Sequence, residues 1–238
     1  KAILSVRLLD KLLLDNDVND KNITRIVDEF PDTAYADFDA TARRRFIEQV
    51  KVPLLMASLL QDIGNYHPQA QAILLGADKK LNPQRTLSVE ERKKLLQLNY
   101  KQTLNYINEG LGVPSYVGNS KEERNQFIID EQAKLQFIQQ LLKSSIKPKQ
   151  SVGNLLKVPQ IYASIIFSTK DSYNYKVLPK VYQILNRSAE LGACSQKMVD
   201  ALYQITGMFP QGYGVIYMPE DELGQIGGCY EYAIVNRL

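Results

Sequence analysis

The chain has 238 residues, 45% hydrophobic and 23% charged, which is ordinary for a globular protein with a sizeable core and argues against disorder. Its 29 basic and 26 acidic residues leave a formal charge of +3, too balanced to mark a nucleic-acid or membrane-surface partner, although a local phosphate pocket stays open. Cys194 and Cys229 lie far apart with no C-x-x-C pair, so neither a zinc site nor a disulfide framework is signalled; two semi-buried thiols in a reduced, cytoplasmic setting are expected.

No apolar run approaches about 18 residues, and no signal-peptide pattern opens the chain, so membrane insertion is not expected. The first residues lie inside an amphipathic stretch without methionine, which reads as an excerpt of a longer polypeptide. Residues 2–14 carry Leu, Ile and Val at helical spacing, and Ile23, Ile26, Val27 and Phe30 continue that period after a break near Asn16-Asp17. Pro31 ends the second helix, and Asp39 can cap the next, which carries Phe46, Val50 and Leu54 and meets Pro53 as a kink or a new start. That helix delivers Gln61 and Asp62 to its far end, where Gly64 stops it and Tyr66-His67-Pro68 turns away.

His67 is the single histidine of the chain. On a continued helix it would sit roughly 140° round the axis from Asp62, so the two do not share a metal, and a solvated or loop-packing role is expected. Ser88-Val-Glu-Glu91 and Ser120-Lys-Glu-Glu123 read as capping boxes that open two long helices, ending near Gly110 and Lys143. Ser144–Leu156 is polar and turn-like, the best candidate for a mobile loop, and Pro159 suits the first turn of a helix through Ile161, Ile165 and Ile166. A helix over about Leu178–Glu190 and another capped by Ser195, carrying Met198, Val199, Leu202 and Ile205, follow. Beyond Gly207 the period changes, and Gly214–Met218 with Cys229–Val235 read as two strands. The expected fold is mainly α, a helical domain over 1–206 (N-terminal helices in 1–35, core in 36–206) with a small C-terminal β-hairpin in 207–238 packed on it.

The order of several motifs resembles the HD-GYP family, the cyclic di-GMP phosphodiesterases of the HD superfamily. Leu59-Leu60-Gln61-Asp62-Ile63-Gly64 is similar to that family's Leu-Leu-His-Asp-Ile-Gly core, and Leu87–Leu104 to the helix that follows it. Val158-Pro159-Gln-Ile-Tyr-Ala-Ser-Ile-Ile166 resembles a later helix, with Asp171-Ser-Tyr173 near the family's Asp-x-Tyr, and Gly207-Met-Phe-Pro-Gln-Gly212 its Gly-x-Tyr-Pro-x-Gly closing segment. The match spans roughly residues 46–220. It implies a helical bundle wrapped around the apolar helix that ends in Leu59–Gly64, with Leu55, Leu59, Leu60 and Ile63 buried.

The departures decide the chemistry that the resemblance implies. An HD site gathers imidazoles and carboxylates around a metal that turns water into hydroxide. Here Gln61 stands where the family has histidine, Asp62 keeps the carboxylate, Leu98-Asn-Tyr-Lys101 supplies no imidazole, and the later His-His pair has no counterpart. Lys170 falls where a metal-binding aspartate belongs, with Asp171 beside it; it would repel a cation, and it could pair with Asp62 or hold a phosphate, or simply be a surface lysine. No catalytic residue, metal or cofactor is assigned. The leading expectation is a catalytically inactive, HD-GYP-like regulatory or protein-interaction module of bacterial signalling, working with a protein partner or fused signalling domain. The alternatives are a non-hydrolytic sensor of cyclic di-GMP or another nucleotide, with Tyr173, Tyr175, Tyr213 and Tyr217 as stacking or packing residues, and an active phosphohydrolase with atypical ligands. A runner-up resemblance is to the HD-related output domain, which also lacks catalytic ligands; the hairpin after Gly207 favours HD-GYP.

Overall fold

A computed structural model describes residues 1–148, 151–209, 211–220, 225 and 227–236. The protein is mainly helical and carries a small two-stranded antiparallel sheet. In chain order the helices are α1 (Ala2–Leu14), α2 (Lys21–Val27), α3 (Ala40–Phe46), α4 (Val52–Leu60), α5 (Pro68–Leu75), α6 (Val89–Asn105), α7 (Lys121–Ser144), α8 (Asn154–Ile166), α9 (Val181–Glu190) and α10 (Gln196–Thr206). The strands are β1 (Gly214–Tyr217) and β2 (Glu231–Ile234). No helix among the described residues is long and apolar enough to cross a membrane.

Amphipathic α1 is central to the packing. Leu8, Leu9 and Leu12 are buried, and the helix packs against α4, α8 and α10. α4 in turn packs against α7. Ser5 and Ser58 are both fully buried where α1 meets α4, with their hydroxyls 3.5 Å apart, and such small side chains let two helix backbones approach closely. One cluster of buried residues runs from Leu8 to Ile205 through these helices.

This geometry corrects the expected phase of α4. Its buried face is Pro53, Leu54, Ala57 and Ser58, followed by Gln61; Leu59 is 67% exposed, and Leu55, Leu60 and Ile63 are half-buried. Val52–Leu60 is apolar on nearly every side, so its own pattern does not choose a face, and the face with the small residues wins because it admits α1. Leu59→Ala is therefore expected to change stability by less than about 0.5 kcal/mol, as for an ordinary surface substitution, when read by urea denaturation.

Several boundaries also differ from those expected. α2 stops at Val27, before Phe30. Between α3 and α4 the chain makes a π-helical turn over Ile47–Lys51, and this wider turn precedes Pro53, whose ring would otherwise press on the carbonyl of Gln49. α5 was not anticipated: Pro68 occupies its first position and His67 caps it, the ring Nδ1 accepting from Gln69 N–H at 3.3 Å. Ser88 forms a complete capping box with Glu91, whereas Ser120 forms half of one, because the Glu123 carboxylate accepts from the Tyr116 hydroxyl at 2.7 Å instead. α8 begins at Asn154, so Pro159 lies inside it and not in its first turn, and the expected loop shortens to the segment between Ser144 and Asn154, with Lys149 outside the described residues.

Arg85 and Glu91 tie the loop before α6 to that helix. The guanidinium donates to both carboxylate oxygens at 2.7 and 3.0 Å and to the Ile73 carbonyl at 2.9 Å. Arg85, with help from the Ser88 N–H, lowers the Glu91 carboxyl from 4.5 to about 2. A depressed carboxyl contributes stability above its unfolded value, and this is lost as pH falls through the folded one. Glu91→Gln is expected to flatten the loss of thermal stability between about pH 4.5 and about pH 2, which melting curves across that range measure.

The hairpin pairs Gly214 with Ile234, Val215 with Ala233, Ile216 with Tyr232 and Tyr217 with Glu231. Just before it, Gly212 (φ +87°) donates to the Val235 carbonyl while Val235 N–H donates to the Tyr213 carbonyl, both at 2.8 Å. Two residues opposite one, the first a left-handed glycine, is a G1 bulge, which explains Gly212 and fixes the register. Val215 and Ala233 are half-buried on one face, while Ile216, Tyr232 and Ile234 on the other are exposed. Both strands are shorter than expected, ending at Tyr217 and starting at Glu231.

Candidate functional site

Gln61 and Asp62 terminate α4 and begin a short 3₁₀ turn over Ile63–Tyr66. This turn packs on α6. The Gln61 side chain is buried and folds back, Nε2 donating to the Ser58 carbonyl at 3.0 Å. Its main-chain carbonyl accepts from Asn99 Nδ2 at 3.1 Å, and the Thr103 hydroxyl lies 3.4 Å from the same oxygen. Gly64 N–H donates to the Thr103 hydroxyl at 3.1 Å. A side-chain carbon on Gly64 would lie 2.2 Å from the Asn99 carbonyl oxygen, so this turn and α6 touch backbone to backbone.

Asp62 points the other way, to a half-exposed position where its carboxylate forms an ion pair with Lys1. Of the readings open for Lys170, pairing with Asp62 is not the one seen, since Asp62 is taken by Lys1. Lys170 is exposed, and the neighbouring Asp171 carboxylate accepts from Asn82 Nδ2 at 2.6 Å. Among the described residues no hydrogen bond or ion pair joins Gln61 or Asp62 to Lys170 or Asp171, and no three histidine, cysteine or acidic side chains converge as a metal would require.

Asn99 and Thr103, the partners that hold the Gln61 turn, were missed in the sequence. The readable signal is their i, i+4 spacing, which puts two short polar side chains on one face of α6. The cysteines also differ from expectation: Cys194 is buried, which pushes its thiol up, while Cys229 is exposed rather than semi-buried.

The tyrosines divide by role. Tyr173 packs against the core and donates its hydroxyl to the Ile165 carbonyl at 2.6 Å, while Tyr217 is exposed and donates to the Glu231 carboxylate at 2.6 Å. Tyr175, which is exposed, lines a recess of about 330 Å³ together with Phe209, Tyr213, Pro179 and Lys176. Set against models of known protein families, curated proteins and solved structures, the chain matches none of them.

Proposed function

We propose that this chain is a non-hydrolytic, HD-GYP-like regulatory module of bacterial signalling that works in the cytoplasm through contacts with a protein partner or a fused signalling domain. The observation that carries this reading is the use of the Gln61–Gly64 turn: Gln61 is locked into the joint with α6, and Asp62 is turned to Lys1. Groups engaged in holding two helices together are not available to converge on a cation and activate water. The HD relationship rests on the order of motifs along the chain; the exposure of Leu59 weighs against the expected wrapping of α4. The exposed hairpin face of Ile216, Tyr232 and Ile234 supports a role in contacts, since apolar patches of this kind mark interaction surfaces.

A phosphodiesterase assay with cyclic di-GMP tests the reading. Neither the wild type nor Gln61→His should turn over, because one added imidazole cannot complete a ligand set. Turnover by the wild type would overturn it.

A second reading, a sensor that binds cyclic di-GMP or another nucleotide without cleaving it, is favoured by the recess of Tyr175, Phe209 and Tyr213 beside Lys176. Aromatic faces stack on bases and a lysine meets phosphate. Calorimetric titration separates the two: saturable binding that is weakened by Tyr175→Ala favours the sensor, and its absence favours the protein-contact module.

A further inference from the structure

A polar network that takes no part in the Gln61 joint lies on the far side of α1. Tyr35, in the connection before α3, donates its hydroxyl to Asp10 Oδ1 at 2.5 Å. Lys51, on the π-helical turn, reaches both Asp10 oxygens, at 2.8 and 3.1 Å, and its ammonium lies 5.9 Å from the centre of the Tyr35 ring. Arg43, on α3, donates Nε–H to the Phe38 carbonyl at 2.7 Å and Nη2–H to the Ala36 carbonyl at 3.2 Å. These groups line one cleft of about 400 Å³, whose remaining walls include Phe46, Ile47 and Leu14.

Charge and geometry together limit what can occupy it. Asp10 neutralises one of the two cations and holds Lys51 in place, while among the described residues the partners of Arg43 are neutral carbonyls, which leave its charge uncompensated and its Nη1 without an acceptor. No carboxylate lies within ion-pair distance of Arg43 among the described residues. Burial and the Asp10 carboxylate both push the Tyr35 phenol up, so it stays a neutral hydrogen-bond donor and adds no negative charge. The site thus carries one net positive charge beside an apolar wall on which Ile47 and Leu14 stand exposed. A concave, largely apolar cleft with a few convergent polar groups is the usual form of a small-molecule site. A guanidinium with free donors is suited to a carboxylate.

We infer that this cleft binds a small amphipathic monoanion, an organic carboxylate whose head meets Arg43 and Lys51 and whose apolar tail lies along Phe46, Ile47 and Leu14. The π-helical turn is part of the site, because it carries Ile47 at one end and Lys51 at the other and so presents the tail wall and a cation to the same cleft. π-Helical turns recur at functional sites for this kind of local re-aiming.

The test uses the whole chain, ¹⁵N-labelled, titrated with octanoate and with octanamide, its uncharged counterpart of the same tail. Octanoate should cause saturable amide shifts at Tyr35, Ile47 and Lys51, and octanamide should bind at least about tenfold more weakly, the scale of one charge-assisted hydrogen bond. Arg43→Gln gives up its bonds to the Phe38 and Ala36 carbonyls and is expected to melt at a lower temperature, so it is titrated well below its own melting point, where the folded variant should lose about tenfold in octanoate affinity. Equal affinity for octanoate and octanamide, shifts confined to the β1–β2 hairpin, no binding at all, or wild-type affinity in Arg43→Gln would each overturn the inference.

Discussion

Replacing Phe46 by alanine is expected to cost about 3–5 kcal/mol, among the largest single losses this chain can suffer short of unfolding. The side chain is 1% exposed at the end of α3, with its ring centre 5.1 Å from that of Tyr35 and 6.2 Å from that of Phe38, and Phe30 continues the stack against Phe38 at 5.3 Å. Offset and tilted aromatic pairs add to the area that they bury, so truncating the ring that joins two of them leaves a cavity as well as lost contacts. Urea denaturation measures the change, and a loss below about 1 kcal/mol would show that the aromatic cluster is not a structural anchor.

Gly64→Ala carries the second large effect. The added carbon would sit 2.2 Å from the Asn99 carbonyl oxygen and 2.9 Å from the Asn99 Cα, both backbone atoms that cannot rotate away. Either α6 or the turn after α4 must shift, and overpacking of this kind costs about 1–3 kcal/mol or more. The shift should also break the hydrogen bond from Gly64 N–H to Thr103, so Gly64→Ala and Thr103→Val are expected to be non-additive in a double-mutant cycle. Additive losses would mean that the turn and α6 are not joined as described.

The helical class and the hairpin were legible because they rest on local pattern: a 3.6-residue period through α1, α7 and α10, capping chemistry at Ser88, and a change of period after Gly207. The phase of α4 was not legible, since a segment as uniformly apolar as Val52–Leu60 gives no preferred face, and the choice is made by α1 through Ser5. α5 was hidden because Tyr66-His67-Pro68 read as a turn, while the proline in fact starts a helix. For the candidate site, Gln61 and Asp62 could be singled out by their likeness to a known motif, but their partners Asn99, Thr103 and Lys1 are brought together only by tertiary packing. Lys170 and Asp171 stand apart from them for the same reason, Asp171 being held by Asn82 across a long stretch of chain.

On the function proposed above, the Gln61–Gly64 turn serves as a helix joint and not as a metal centre. Metal analysis by mass spectrometry of protein purified without added metal tests it most directly, because a hydrolytic site must hold its cation tightly enough to generate hydroxide near neutral pH. Transition metal well below one equivalent, unchanged in Asp62→Ala, is the expected result. One or two equivalents in the wild type, lost in Asp62→Ala together with turnover of cyclic di-GMP, would contradict it.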